Sequence, residues 1–296
     1  MEENRKVRKA IIPVAGLGTR MLPATKAVPK ELLPILDKPL IQHIIEEAVS
    51  SGIKEIILIT RSGKEAIENH LDANFELELL LKKSNKKEII SKFPQYILKD
   101  VSILSIRQEN PLGLGHAIFC AKPALQKGEP FAVFLPDEFL LSLEKEIDFH
   151  KMMKNYSLTG NSQVLLEKIS KKDIPNYGII DFFENKLTKE KSKIIKDFIE
   201  KPSIKSAPSD FRIVGRYILP YEIMDVLQKL KPGKNREIQL TDALKKLLRS
   251  RKIKFEGVLS NSRIFDCGSL KGFLGANIAI ASKDKKIKQY LKENLI

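Results

Sequence analysis

Four short apolar runs constrain the fold of this chain more than any other feature. They lie within residues 8–15, Glu55–Thr60, Val101–Ile106 and Phe131–Leu135. Each is too short for an ordinary helix; Glu55–Thr60 and Phe131–Leu135 suit strands buried on both faces of a sheet, and Val101–Ile106 reads as a further strand. Between the first two, Leu40, Ile41, Ile44, Ile45, Ala48 and Val49 recur at helical spacing and stop at Gly52. Asp37 and Pro39 read as the cap and first turn of that helix. Residues 64–83, and a segment beginning near His116, also read as helical. Strands alternating with helices predict a mostly parallel sheet with right-handed crossovers.

The texture changes from about residue 141. A helix over 144–157 precedes shorter, more polar strand candidates at Gln163–Ile169, Gly178–Phe183, Ile194–Ile199 and Phe211–Leu219. These predict a smaller mixed-sheet region attached to the first. Helices near 221–230 and 240–250, a strand near 253–258 and a helix over 269–282 follow. In the tail, Ile287, Tyr290, Leu291 and Leu295 share one face, so the tail is expected to dock on the body or on another subunit. No repeat or flexible linker divides the chain, which points to one composite domain.

The first strand runs into Ala15–Pro34, AGLGTRMLPATKAVPKELLP. Glycine, proline and fixed charge are concentrated here, at the carboxyl end of a strand, where open α/β sheets bind ligands. A dinucleotide fingerprint needs a third glycine where Met21 stands and an acid at the end of the next strand, where Thr60 stands. The pattern GxxxxGK[ST] is absent as well. What remains is a glycine turn in which Gly16 and Gly18 let backbone N–H groups approach a base or phosphate. Arg20 suits forked phosphate contacts, while Lys26 and Lys30 act as point charges.

Asp137 ends a buried run and so falls on the same sheet edge as this loop. An acid facing phosphates is repulsive unless Mg²⁺ lies between them. Asp266, in Arg263–Gly268, is a second such acid. Glu200-Lys201-Pro202 offers a hydroxyl acceptor and a phosphate cation, although taken alone it reads first as an unremarkable surface turn. Gly178 and Gly215 mark either close ligand approach or bulges.

Composition excludes several other classes. The net charge is +15, but the lysines are scattered among acids and there is no Trp, which disfavours a base-stacking nucleic-acid platform. No run approaches the ~20 apolar residues of a membrane span, and the charged N-terminus lacks the apolar core of a signal peptide. Cys120 and Cys267 are expected as free thiols in the cytoplasm. The four histidines show no metal spacing and read as structural or exposed.

The residues of the loop closely resemble the signature of bacterial UTP–glucose-1-phosphate uridylyltransferases, within the sugar-nucleotidyltransferase family. The resemblance continues through DKPLIQHIIEEA, RQENPLGLGHA, LPDEFL, PNYGIID, FIEKP, IVGRYIL, EIQLTDAL and FDCG. It implies an α/β fold with a Rossmann-like, mostly parallel central sheet flanked by helices. It also implies one nucleotidyltransferase domain over 1–296. About 8–140 would be the nucleotide-binding part, about 141–268 the sugar-binding part and 269–296 C-terminal helices.

By the resemblance, Ala15 and Gly16 contact uracil through the backbone, Gln108 reads its polar edge and Gly113 lies close to the nucleoside. Gly18 and Glu31 belong to the same nucleotide site. Arg20 and Lys26 neutralise the triphosphate, and Asp137 and Asp266 hold Mg²⁺. Glu200 hydrogen-bonds glucose hydroxyls with Gly178 and Gly215 nearby, and Lys201 binds the sugar phosphate. The expected partners are UTP and glucose 1-phosphate, without nucleic acid or membrane, in a homo-oligomer (dimer or tetramer). A dTTP-dependent thymidylyltransferase and a catalytically silent sugar-nucleotide sensor are the alternatives. Pro111-Leu112 and the lysine-rich stretch 184–196 depart from the family pattern.

Overall fold

The computed structural model describes residues 6–183, 192–233 and 236–294. The chain opens with β1 (Lys9–Pro13). Three 3-10 turns then carry it to a tiny ladder of β2 (Pro34–Ile35) and β3 (Lys38–Pro39). This ladder places Asp37 at a hairpin tip rather than on the helix. Pro39 occupies the N-cap of α1 (Leu40–Ser50) with no side-chain cap, and Asp37 pairs instead with Lys92 at 2.8 Å.

After β4 (Glu55–Thr60), the helix expected over 64–83 is two: α2 (Glu65–Leu71) and α3 (Phe75–Lys83). The break has a local cause. The Asn74 side chain accepts a hydrogen bond from the Leu77 N–H at 3.0 Å and so starts a new helix. Single-turn helices α4 (Lys87–Ile90) and α5 (Pro94–Ile97) lead to β5 (Ser102–Arg107), α6 (Leu114–Cys120) and β6 (Phe131–Phe134).

Next come β7 (Glu138–Leu141), α7 (Asp148–Thr159), β8 (Ser162–Lys168), β9 (Gly178–Phe182), β10 (Ser192–Glu200) and β11 (Phe211–Leu219). The chain finishes with α8 (Glu222–Lys229), α9 (Leu240–Arg249), β12 (Phe255–Leu259), β13 (Arg263–Asp266), α10 (Leu270–Ala281) and α11 (Lys285–Asn294). Of the stretch 184–196, residues 184–191 lie outside the described residues and 192–196 begin β10. Leu295 of the tail also lies outside them.

Among the described residues, one nine-stranded sheet runs in the order β5-β4-β1-β6-β11-β8-β12-β10-β9. The first four strands are mutually parallel, as the alternation with helices predicts, but β5 is an edge strand and is largely exposed. The mixed region is continuous with them. β11 is buried along almost its whole length, and it pairs antiparallel with β6 on one edge and β8 on the other. Were it in a separate sheet, the β6 edge would be left without partners in the interior.

Side chains alternate across the sheet. Ala10 and Ile12 face the layer of α1, α7 and α10, while Ile11 faces the layer of α6, α8 and α9. Each fully buried Ile, Leu or Phe stabilises the fold by roughly 1.5–3 kcal/mol, so the two layers hold the sheet rigid. A second ladder, β7 with β13, stands off the main sheet. It joins the end of β6 to the start of α10 and thereby brings residue 137 beside residue 266.

Candidate active site

β1 stops hydrogen bonding where ligand access begins. Val14 N–H still donates to Ile59 O at 2.8 Å, and Ala15 onward leaves the sheet. Gly18 adopts φ +69°, a left-handed conformation that favours glycine. The turn is tied by Thr25 Oγ1 donating to Gly18 O at 2.8 Å. The same loop points Arg20 and Lys30 at the two acids. Lys30 Nζ donates to Asp137 Oδ2 at 2.8 Å, and Arg20 Nη1 donates to Asp266 Oδ2 at 3.0 Å. Arg20 Nη2 lies 3.6 Å from Asp137 Oδ2, so one guanidinium spans both carboxylates.

Burial by itself would raise the Asp137 carboxyl. The charge of Lys30 and its hydrogen bond, helped by Arg20, outweigh burial and hold it below the usual carboxylate range. Burial would likewise lower Lys30, but Asp137 and Glu31 hold its ammonium above its ordinary value. Burial, followed by the neighbouring charges of Asp266 and Asp137, pushes the Cys267 thiol up to about 12. Cys267 is buried and fills space as a neutral thiol.

Two clefts meet at this charge cluster. The first, about 410 Å³, is lined by Ala15, Gly16, Gly18, Glu31, Gln108 and Gly113. The second, about 460 Å³, is lined by Arg20, Gly178, Glu200, Lys201, Gly215 and Asp266. Asp137 lines both. The structure thus brings together every site residue expected from the sequence except Lys26, which is exposed and lines neither cleft. In this structure Lys30 is the loop lysine that reaches the acids.

In the first cleft, Gln108 Nε2 contacts Gly113 O at 3.2 Å and His116 Nδ1 at 3.0 Å. His116, read from the sequence as structural or exposed, is half-buried and holds the Gln108 side chain in place at this cleft. Gly113 has φ +90°, and a Cβ there would meet Glu237 Cβ at 2.8 Å. Glu31 is buried at the base of the loop. Its Oε2 accepts from Lys64 Nζ at 2.7 Å, while Oε1 has no partner. Burial raises its carboxyl, with Lys64 and Lys30 opposing.

In the second cleft, Glu200 Oε2 accepts from Thr241 Oγ1 at 2.7 Å, and Lys201 Nζ stands 3.6 Å from Glu200 Oε1. Gly215 lies in the register shift between Ile213 and Tyr217 of β11 and also has no room for a side chain, whereas Gly178 is only tight against the end of Ile213. A Cβ at 178 would sit 3.0 Å from Ile213 Cδ1, and one at 215 would sit 2.5 Å from Leu135 Cβ.

Sequence reading missed the supporting charges. Arg212 pairs with Glu138 and with Glu167, the latter at 2.6 Å, and its guanidinium carbon lies 4.4 Å from the Tyr177 ring centroid. Arg216 is fully buried against Glu47. One signal was available, because an arginine inside the apolar run IVGRYIL must find partners.

The donor set suits Mg²⁺. Among the described residues no group of three or more His, Cys, Asp or Glu gathers to hold a metal. Two carboxylates do converge, and a cationic guanidinium already bridges them. Mg²⁺ favours one or two carboxylates, waters and substrate phosphates over an all-protein cage.

A fold of this topology, with a glycine loop feeding cations toward two acids between two clefts, defines a class. The nucleotidyl transferase family model matches residues 9–283, and the chain belongs to that family. Within it, the chain is 43% identical over 288 residues to the UTP–glucose-1-phosphate uridylyltransferase of Haemophilus ducreyi, covering 96% of this chain and 97% of the relative. Identity to the Escherichia coli K12 enzyme of the same name is 42% over 276 residues, 92% of this chain and 90% of that one.

Among solved structures, the UTP-bound UGPase from Acinetobacter baumannii superposes with a TM-score of 0.89 at 37% identity, covering 98% of this chain and all of that one. A UDP-glucose pyrophosphorylase complexed with UDP-glucose gives 0.84 at 34% identity, covering 94% of this chain and all of that one.

Proposed function

We propose that this nucleotidyltransferase moves a uridylyl group from UTP to glucose 1-phosphate, releasing pyrophosphate and forming UDP-glucose. The observation that carries the reading is the meeting of two clefts at Asp137, with Arg20, Lys30 and Asp266 gathered there. Support for the particular nucleotide and sugar comes from the relatives' names and from the UTP and UDP-glucose complexes of similar structures.

Uracil and ribose enter the first cleft against Ala15, Gly16, Gln108 and Gly113. Glucose enters the second, with Glu200 accepting from its hydroxyls and Lys201 facing its phosphate. An oxygen of that phosphate bonds to the α-phosphorus of UTP as the bond to the pyrophosphate oxygen breaks. The attacking oxygen is already anionic, so no general base is needed, and none of the four histidines is assigned one.

The barrier is largely electrostatic. Like charges 4 Å apart repel by about 4 kcal/mol at an effective dielectric of 20. Arg20, Lys30 and Lys201 offset this, with Lys26 as a further cation from the exposed loop. Mg²⁺ held by Asp137 and Asp266 would neutralise charge on the transferring phosphates. Cytoplasmic location, independence of nucleic acid and membrane, and self-association belong to the same reading. Among the described residues no helix is long and apolar enough to cross a membrane.

The test is pyrophosphate release with UTP, dTTP, ATP or GTP crossed against several sugar 1-phosphates, with and without Mg²⁺. UTP with glucose 1-phosphate should be fastest by at least about tenfold. Preference for dTTP would make the protein a thymidylyltransferase, and no Mg²⁺-dependent release with any pair would make it a sensor.

A further inference from the structure

Neither Glu47 nor its partner Arg216, the largest fully buried side chain among the described residues, lines either of the two clefts. Arg216 lies on β11, is wholly buried, and has every guanidinium N–H engaged. Nε and Nη2 donate to the Glu47 carboxylate at 2.9 and 2.7 Å, a forked pairing with α1. Nη1 donates to Leu135 O at 3.2 Å and Gly215 O at 3.0 Å, and Nη2 donates to Glu138 O at 3.0 Å. The guanidinium also rests on the Phe134 ring, 5.0 Å from its centroid.

The segment so gripped is Leu135–Glu138, where the chain leaves the main sheet and enters the β7–β13 ladder. Asp137 sits inside it. The carbonyls on its two flanks, Leu135 O and Glu138 O, are both tied to Arg216. Its own carbonyl accepts from Cys267 N–H at 2.7 Å, which locks it to the segment carrying Asp266. Glu138 closes the frame from the other side by accepting from Gly215 N–H and Arg212. A point charge such as lysine cannot reproduce this pattern, because it needs a planar fork with donors on both edges.

We infer that Arg216, held by Glu47, is the positioning residue for Asp137. It sets the separation of the two carboxylates, and so divalent-ion affinity, without touching substrate. The inference rests on Asp137 as a metal-holding acid. Outer partners of this kind typically change metal affinity by about 10–100-fold when removed.

The experiment uses Mn²⁺ as the probe, measuring free ion by electron paramagnetic resonance with the full-length protein and saturating UDP-glucose. Arg216→Lys is expected to raise the Mn²⁺ dissociation constant by about tenfold or more. The Mg²⁺ requirement for turnover should rise in parallel, while KM for glucose 1-phosphate stays within about twofold.

Wild-type Mn²⁺ affinity in folded Arg216→Lys overturns the inference. So does an equal loss of Mn²⁺, UTP and glucose 1-phosphate binding, which is the mark of a purely structural pair. If Arg216→Lys does not fold, the double variant Arg216→Met with Glu47→Leu decides the matter by the same two readings, since apolar replacement of both partners avoids an orphan charge.

Asp137→Asn separates the two layers. If it leaves Mn²⁺ affinity unchanged, the metal reading of Asp137 fails and this inference falls with it. If it abolishes Mn²⁺ binding while Arg216→Lys does not weaken it, only the role of Arg216 fails.

Discussion

Arg20 and Asp266, 246 residues apart in sequence, are joined by a hydrogen bond of 3.0 Å from Nη1 to Oδ2. Gly268 makes this possible, because a Cβ there would lie 2.4 Å from Arg20 Nη2. In Gly268→Ala the guanidinium, the end of a flexible side chain, should move aside at little cost in stability. With Arg20 in the role proposed for it, that displacement should lower turnover by roughly 10–100-fold. Steady-state kinetics beside a urea unfolding curve checks this, and unchanged kcat would dissociate Arg20 from catalysis.

The two substrates should separate by residue. Lys201→Ala is expected to lower turnover by about 100-fold or more and to weaken glucose 1-phosphate, with UTP binding by calorimetry preserved. Asp137→Ala should reduce turnover at least as far, with a native circular dichroism spectrum. Comparing Lys26→Ala with Lys30→Ala asks which loop lysine carries the triphosphate. Lys30→Ala should be the more damaging in the free protein, because it alone strips Asp137 of its 2.8 Å partner.

Gly215→Ala should be costly for both fold and function. The new Cβ would fall 2.5 Å from Leu135 Cβ and 2.7 Å from Leu135 Cγ, in a strand buried on both sides. Overpacking of this kind costs about 1–3 kcal/mol. A thermal melt should drop by several degrees while kcat falls, since Leu135 lies two residues from Asp137. A variant as stable as the parent would contradict the packing.

The pH dependence follows from Asp137, whose carboxyl is held below its ordinary value by Lys30 after burial is outweighed. A depressed carboxyl contributes stability above the unfolded carboxylate pKa, about 3.9. That contribution is lost as pH falls through the lower folded value. Lys30 behaves oppositely. Its raised ammonium contributes below about 10.4 and loses that contribution as pH rises further. In Lys30→Met the Asp137 carboxyl should titrate at higher pH, which a carbon-13 carboxyl titration by NMR would show. An unshifted resonance would dismiss Lys30 as the cause.

The proposed self-association would need an exposed apolar surface, and α10 carries one. Leu270, Leu274 and Ile278, spaced by four on α10, are 72%, 56% and 46% exposed. A second copy of the chain covering this stripe would account for it under the self-association proposed above. Leu274→Glu should reduce the sedimentation coefficient to that of a 33.6 kDa monomer. An oligomer unchanged by that substitution would move the interface elsewhere.

Much of this molecule can be read along the chain. The apolar runs specify β1, β4 and β6 because burial on both faces leaves a local signature, whereas β5 is a largely exposed edge strand that interleaves serine with its apolar residues. The loop Ala15–Pro34 declares itself through glycine and fixed charge. Breaks such as Asn74 were legible only in retrospect, since a cap competes with helical periodicity through a single hydrogen bond. The β7–β13 ladder was not legible at all, because its pairing joins residues more than 120 positions apart.

By itself, then, the sequence determined the parallel half of the sheet, the glycine-rich charged loop after β1 and the family, through local periodicity and residue chemistry. Only the tertiary structure decided that the mixed strands extend the same sheet, since that depends on which edge β11 meets. It alone brought Lys30 rather than Lys26 to Asp137 in the free protein. It alone placed His116 behind Gln108 and Arg216 behind Asp137. Those relationships are distances between remote parts of the chain, set by packing and by the need of buried charges for partners.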